Sequence, residues 1–278
     1  MLTIKTILSL EESDLSPYRT LRQPLEHQRQ GFFVAEGERV VARLIESALS
    51  ISSVLMTQEW FEVYRNRLEE KSESITAFVA QKHLLHSIVG FHLHQGIMAV
   101  GRIPAPVPLE AILHRSHRPF LLAAIDGIAN SENLGVLVRN CAAFGVQALL
   151  VGETSSSPYL RRAVRNSMGT IFKIPVVQLL DITRTLTDLH SLHGISVVAA
   201  HPHTDQQSID AIDFRHDCCV VFGSEGNGIS AEVLSACNAA AAIPMQLGVD
   251  SLNVASASAV LLYEVMKQRR DGPAVNKR

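Results

Sequence analysis

Residues 120–151 read FLLAAIDGIANSENLGVLVRNCAAFGVQALLV, and their pattern sets the architecture of the longer half of the chain. FLLAAI (120–125) is a continuous apolar run of strand length. Leu134 to Phe144 has apolar residues at helical spacing and Gly145 at its end, and ALLV (148–151) is a second apolar run. The same alternation continues downstream. Strands are expected at FKIPVV (172–177), ISVVAA (195–200), CCVVF (218–222) and AAAAI (239–243). Helices are expected at Pro158 to Ser167, Ile182 to Leu192, Ser230 to Ala236 and Val254 to Gln268. Uninterrupted apolar strands separated by helices imply a mostly parallel sheet covered on both faces. Ligands of such sheets bind beyond the carboxyl ends of the strands.

Upstream, IPAPVP (103–108) places three prolines at alternate positions, which removes backbone donors and favours an extended connector. A short helix at Leu109 to Arg115 follows, before Pro119. The first hundred residues form a smaller α/β module. Its helices are expected at Glu36 to Leu49, Gln58 to about Lys71 and Gln81 to Ile88, and its strands at SSVLMT, ITAFVA and GIMAVGRI. The expected division is 1–103, a linker at 104–118, and 119–278.

Composition narrows the class. Of 278 residues 47% are hydrophobic and 19% charged, enough apolar material for packed cores rather than disorder. No apolar stretch is long enough to span a bilayer, and the N-terminus carries acids where a secretory peptide has its cleavage site, so a cytoplasmic, membrane-free protein is expected. Cys141, Cys218, Cys219 and Cys237 contain no CxxC pair and read as buried thiols, with no metal implied. The net charge of −2 excludes a globally basic nucleic-acid binder, but acids are absent from Thr154 to Leu180, where Arg161, Arg162, Arg165 and Lys173 lie. Lys267, Arg269, Arg270, Lys277 and Arg278 make a second basic stretch. A solvated face and a phosphate-contacting surface both fit these clusters. The histidines at 92, 94, 201 and 203 read as ordinary loop or surface residues.

Three strand-end loops carry candidate chemistry. After FLLAAI, Asn133 precedes an apolar helix bearing Arg139. Burying that arginine would be costly unless something anionic met it, whereas on the outer face it needs no partner. After CCVVF comes GSEGNGIS, with glycines at 223, 226 and 228 that allow close backbone approach to a ligand. This is neither a Walker loop nor GxGxxG, and Glu225 would repel a pyrophosphate but suit a cationic ligand. A plain strand-to-helix turn is the other reading. After AAAAI comes PMQLGVDSLNVASASAVLLYE, where Asn253 stands at the start of the last helix as a natural cap.

In order and spacing, NLGVLVRNCAAFG, VVFGSEGNGIS and IPMQLGVDSLNVASASAVLLYE resemble the three signature motifs of the SpoU (TrmH-type) RNA 2′-O-methyltransferases of the SPOUT class. The likeness runs from about Phe120 to Gln268. FVAEGERVVARLIES, SVLMT and QGIMAV resemble, less specifically, the substrate-binding domain of many such enzymes. The resemblance implies a trefoil-knotted, mostly parallel C-terminal domain, S-adenosylmethionine as cofactor, a homodimer, and RNA as substrate, rRNA more than tRNA. Knots are exceptions to the usual unknotted connections, and this family is one of them. By the same resemblance Asn133, Arg139, Glu225, Ser251 and Asn253 are functional residues, and Gly223, Gly228, Ile243, Met245 and Leu252 surround the cofactor. Asn130-Ser131 replaces a frequent Asp-Pro, and Asp250 a frequent Glu. A tRNA ribose methylase, a base-methylating relative and a catalytically silent RNA binder are the alternatives. A dehydrogenase fits the βα alternation but lacks its glycine fingerprint.

Overall fold

The computed structural model describes residues 1–9, 11–89, 96–202 and 207–271. His92, His94, His203, Lys277 and Arg278 lie outside the described residues. The chain divides into two compact units, Met1–Ala105 with Pro158–Lys173, and Pro106–Ser157 with everything from Ile174 onward.

The first unit contains β1 (Leu2–Ile7), α1 (Ser16–Arg19), α2 (Pro24–Arg29), β2 (Phe32–Glu36), α3 (Glu38–Glu46), β3 (Ile51–Met56), α4 (Gln58–Glu69), β4 (Ile75–Ala80), α5 (Lys82–Val89) and β5 (Ile97–Arg102). Its strand order is β1-β4-β3-β5-β2. β1 and β3 run parallel to β4, while β5 runs antiparallel to β3 and β2. Sequence patterning missed two of these strands. β1 is an edge strand with a mostly exposed LTIKTI, so it lacks an apolar stripe, and β2 is a five-residue run. α3 is shorter than Glu36 to Leu49 because Gly37 sits at φ 94° and Ser47 is extended. Ile7, Leu15, Tyr18, Phe32, Leu55, Phe78 and Met98 fill the core. The buried Tyr18 hydroxyl is satisfied by Ser53 Oγ at 2.8 Å, as burial in an apolar site requires.

Pro158–Lys173, including α8 (Arg161–Asn166), belongs to this unit although it falls between two strands of the other. Phe33 packs between Phe172 and Tyr159, with ring centroids 5.4 and 5.6 Å away. The Arg43 guanidinium donates to the Met168 carbonyl at 2.6 Å. This corrects the expected strand at 172–177. Phe172 and Lys173 close a 3-10 turn that follows two left-handed residues, Met168 and Gly169, and the strand starts only at Val176, after Pro175. The division likewise differs from 1–103, 104–118 and 119–278.

The second unit contains α6 (Leu109–Arg115), β6 (Leu121–Asp126), α7 (Ser131–Ala143), β7 (Ala148–Val151), β8 (Val176–Gln178), α9 (Ile182–His193), β9 (Ser196–Ala200), β10 (Cys218–Gly223), α10 (Ala231–Ser235), β11 (Ala239–Ala241) and α11 (Val254–Asp271). The sheet order is β11-β9-β10-β6-β7-β8, and every pairing is parallel. β6, β7 and β10 are buried along their whole length, the environment their unbroken apolar runs demand. Leu122, Ala124, Leu150 and Val221 join Ile112, Leu186, Leu189 and Val233 in one core cluster. Ile112 and Leu113 bury α6 there, so the extended connector is shorter than the expected linker. Removing one such leucine, as in Leu150→Ala, costs about 2–5 kcal/mol because the site only partly collapses. α7 and α11 pack together, and Asn140 Nδ2 ties them by donating to the Ala255 carbonyl at 2.8 Å and Ser258 Oγ at 2.9 Å. Arg269, near the end of α11, donates to the carbonyls of Phe214, Pro119, Phe120 and His216. That grip anchors the last helix at the amino-terminal edge of β6 and β10.

The four cysteines are free thiols. Burial pushes Cys141 and Cys237 up to about 12 and Cys218 to about 11. They are inert packing residues.

Candidate active site

The parallel register puts Gly223, the last residue of β10, beside Asp126, the last of β6. The loops that leave these strand ends are therefore neighbours. Asp126 is buried, and its carboxylate accepts from the Ser230 amide at 2.8 Å, which fixes the far side of the 224–230 loop. Within that loop Ser224 and Gly228 exchange two backbone hydrogen bonds of 2.9 and 3.0 Å, so the chain folds tightly back on itself. The fold-back needs glycine at both ends. A Cβ on Gly223 would sit 2.2 Å from the Gly228 carbonyl carbon, and Gly228 itself has φ +67°. The turn lifts Glu225 to its tip, exposed.

Asn130 caps α7. Its side chain accepts from the amides of Glu132 and Asn133, so the helix begins at Ser131, earlier than the apolar spacing implied. Asn133 is thereby on the first turn, and its side-chain amide donates to the Glu225 carboxylate. Two of the motifs meet in this bond. Arg139 lies further along α7 with its side chain exposed, and among the described residues no hydrogen bond or ion pair holds it. Asn253 caps α11, its Oδ1 accepting from the Ala255 amide at 2.9 Å.

A cavity of about 370 Å³ opens beside these loops. Gly223, Gly228, Ile243, Met245 and Leu252 all line it, as do Glu225 and Ser251; Arg139, Asn133 and Asn253 do not. The walls combine loop backbone with apolar side chains, and two carboxylates, Glu225 and Asp250, face it without any lysine or arginine among its lining. Such a pocket accepts a flat apolar group together with a positively charged or amino-bearing one. Sequence reading missed His201 and Asn227 as cavity residues. His201 stands just past the end of β9, a position from which side chains of parallel sheets commonly reach a ligand.

The RNA-contact candidates are not alike. The Arg161 side chain is only 14% exposed and forms an ion pair with Glu36, itself 11% exposed. Arg165 lies 3.5 Å from the same carboxylate but keeps 54% of its side chain exposed. Arg162 is exposed. Arg161 is thus taken up by a largely shielded carboxylate, a role its position in a basic run did not reveal. Among the described residues no three His, Cys, Asp or Glu side chains gather as metal ligands, and no helix is long and apolar enough to cross a membrane.

A parallel α/β unit with a strand-end cavity walled by backbone, and an asparagine–glutamate pair at its mouth, defines a nucleotide-type ligand site unlike a Walker or dinucleotide fold. The pattern of the SpoU rRNA Methylase family matches residues 121–263, and the chain belongs to this family of RNA methyltransferases. An uncharacterized tRNA/rRNA methyltransferase of Mycobacterium tuberculosis is 29% identical over 95% of this chain and 92% of its own length. One of Mycobacterium leprae is 30% identical over 86% and 71%. Among solved structures, the SpoU methyltransferase AviRb from Streptomyces viridochromogenes in complex with AdoMet superposes with a TM-score of 0.81, at 23% identity, covering 94% of this chain and all (100%) of that one. A structure described as an RNA 2′-O ribose methyltransferase gives 0.75 at 24% identity over 97% and 100%.

Proposed function

We propose that the protein transfers a methyl group from S-adenosylmethionine to a ribose 2′-hydroxyl of RNA, ribosomal RNA in preference to tRNA, as a cytoplasmic homodimer. The observation that carries this reading is the convergence of the 224–230 and 243–252 loops on one acid-bearing, lysine- and arginine-free cavity, with Asn133 of α7 reaching Glu225 at its edge. The cavity fits the cofactor chemically. Ile243, Met245 and Leu252 offer an apolar seat for an adenine, loop backbone offers hydrogen bonds to its edge, and Glu225 and Asp250 offset a cationic centre. When bound, S-adenosylmethionine supplies a methyl group already activated for in-line displacement. The family description names rRNA, and a protein of the same fold is named a 2′-O ribose methyltransferase.

The chain's own residues then have a positioning and electrostatic task, because a ribose hydroxyl is a weak nucleophile. Asn133 holds the Glu225 carboxylate at the cavity mouth. Arg139, exposed and without a partner among the described residues, is the group left to meet an anion, either the phosphate beside the reacting sugar or the developing alkoxide. Guanidinium groups hold their protons in proteins, which argues against a role as base. Ser251 lines the cavity and Asn253 fixes the start of α11 behind it. Val136, Val260 and Tyr263 leave 38%, 41% and 47% of their surface exposed on the α7 and α11 helices, a face suited to a second copy. The segment from about Gly223 to Asn253 is the one proposed to be knotted.

The test is transfer of labelled methyl to rRNA and to tRNA, followed by nuclease digestion and mass analysis. A 2′-O-methylnucleoside from rRNA is expected. A base-methylated nucleoside, or transfer to tRNA alone, would replace the corresponding part of the proposal. Cofactor binding without transfer to any RNA would favour the silent binder.

A further inference from the structure

S-adenosylmethionine brings three charges to its site: a sulfonium and an α-ammonium, both positive, and an α-carboxylate, negative. The candidate cavity answers the positive pair with Glu225 and Asp250. Its described lining holds no lysine or arginine to answer the carboxylate. A carboxylate taken into a partly desolvated, acid-bearing pocket is costly unless a donor or a cation meets it. The side chain of the described lining that can be both is His201.

The sheet gives this histidine a central place. β9 lies between β11 and β10, so its carboxyl end opens in the interior of the strand row and not at an edge. The β9–β11 ladder ends with Ala200 beside Ala241, and the His201 amide then donates to the Ala241 carbonyl at 3.1 Å. That bond carries the pairing one residue past the strand. On the other side Val221 is level with Ala199, and continuing the same register brings Gly223 level with His201. Ile243 follows β11 by two residues, and the 224–230 loop leaves β10 from Gly223. His201 therefore stands between the apolar seat and the glycine loop, on backbone that the sheet holds. It is half-buried. Partial shielding strengthens a hydrogen bond to a charged group.

The other polar lining residues are poorer partners for a carboxylate. Ser224 is taken up within its own loop, where Oγ donates to the Gly228 carbonyl at 3.4 Å and accepts from the Asn227 amide at 3.2 Å. Ser251 and Asn227 offer neutral donors, which bind an anion more weakly than an imidazolium does.

From these features we infer that His201 recognises the methionyl carboxylate of S-adenosylmethionine and so selects the intact amino-acid tail. The inference rests on the reading that this cavity is the cofactor site. Holding the tail at its far end also restricts where the methyl-bearing sulfur can lie, which serves an in-line transfer.

Isothermal titration of full-length wild type, His201→Ala and His201→Leu would use three ligands. They are S-adenosylmethionine, its decarboxylated analogue, which keeps the sulfonium and the amine, and 5′-methylthioadenosine, which lacks the tail. Both variants should bind S-adenosylmethionine about tenfold more weakly, the size of one charge-assisted hydrogen bond. Their affinity for the other two ligands should stay level with the wild type, because neither ligand presents a carboxylate. Leucine fills the space of the ring without a donor, so a role in shape alone predicts that His201→Leu binds S-adenosylmethionine normally. Equal losses for all three ligands in both variants, or no loss for S-adenosylmethionine, overturns the inference. Gly223→Ala separates this outcome from the assignment of the cavity. If that variant loses affinity for S-adenosylmethionine while both His201 variants keep it, only the role of His201 falls. If the wild type binds no S-adenosylmethionine, the assignment of the cavity falls as well.

Discussion

Replacing Gly223 by alanine tests the packing on which the candidate active site depends. The added Cβ would lie 2.2 Å from the Gly228 carbonyl carbon and 2.3 Å from both the Gly228 oxygen and the Ile229 nitrogen. All three are backbone atoms in a loop closed by the Ser224–Gly228 bonds and tied to Asp126, so no flexible side chain can move aside. Overpacking in well-ordered surroundings costs about 1–3 kcal/mol, and a clash of this depth belongs at the upper end. For a unit of this size about 3 kcal/mol lowers Tm by roughly 6–12 °C. Gly228→Ala is the matched control. Its Cβ meets nothing within 4 Å, so only the left-handed backbone opposes it, about 1–2 kcal/mol. Calorimetric melts of both variants, with isothermal titration of S-adenosylmethionine, give the comparison. Gly223→Ala should be the less stable and lose more than tenfold in affinity. If it melted and bound like the wild type, the close fold-back that shapes the cavity would be refuted.

Further outcomes are expected. Arg139→Ala should abolish most methyl transfer while melting and binding S-adenosylmethionine like the wild type, because nothing in the described chain leans on its side chain; full turnover would remove it from the mechanism. Asn133→Ala should free Glu225 and reduce transfer by tenfold or more with fold retained, read by single-turnover assay. Glu36→Gln leaves the nearly buried Arg161 without its counter-charge and should destabilise by roughly 2–4 kcal/mol, measured by urea unfolding; a neutral effect would argue that Arg161 faces solvent. Burial, and secondarily the Arg161 charge, hold the His27 imidazole below its ordinary pKa. The unfolded chain therefore binds the proton more readily, and this contribution to stability is complete above about pH 6.5 and is lost as the pH falls through the lower folded value. His27→Gln should flatten that acid limb of the stability–pH curve. An undiminished slope would place the effect elsewhere.

Much of the second unit was legible because its signals are local. Unbroken apolar runs such as ALLV and CCVVF made buried parallel strands, and 148–151 was read to the residue. The cofactor-cavity candidates, Gly223, Gly228, Ile243, Met245 and Leu252, came from motif likeness, and one cavity gathers all five. The departures share a cause. Exposed β1 has no apolar stripe because it lies at a sheet edge. α7 begins at Ser131 rather than Leu134, because its first turn is polar and carries no apolar spacing. His201 carries no pattern of its own and reaches the cavity only through the parallel order of β9 and β10.

Periodicity, turn residues and composition act over a few neighbouring positions, so they fix where elements form and which face is apolar. They do not say which distant group a charge will meet. Glu225 meets Asn133 across 92 positions and Arg161 meets Glu36 across 125. Those pairings, which separate the carboxylate proposed to act at the cavity from one that holds a buried arginine, exist only once sheet order and register have brought the two stretches together.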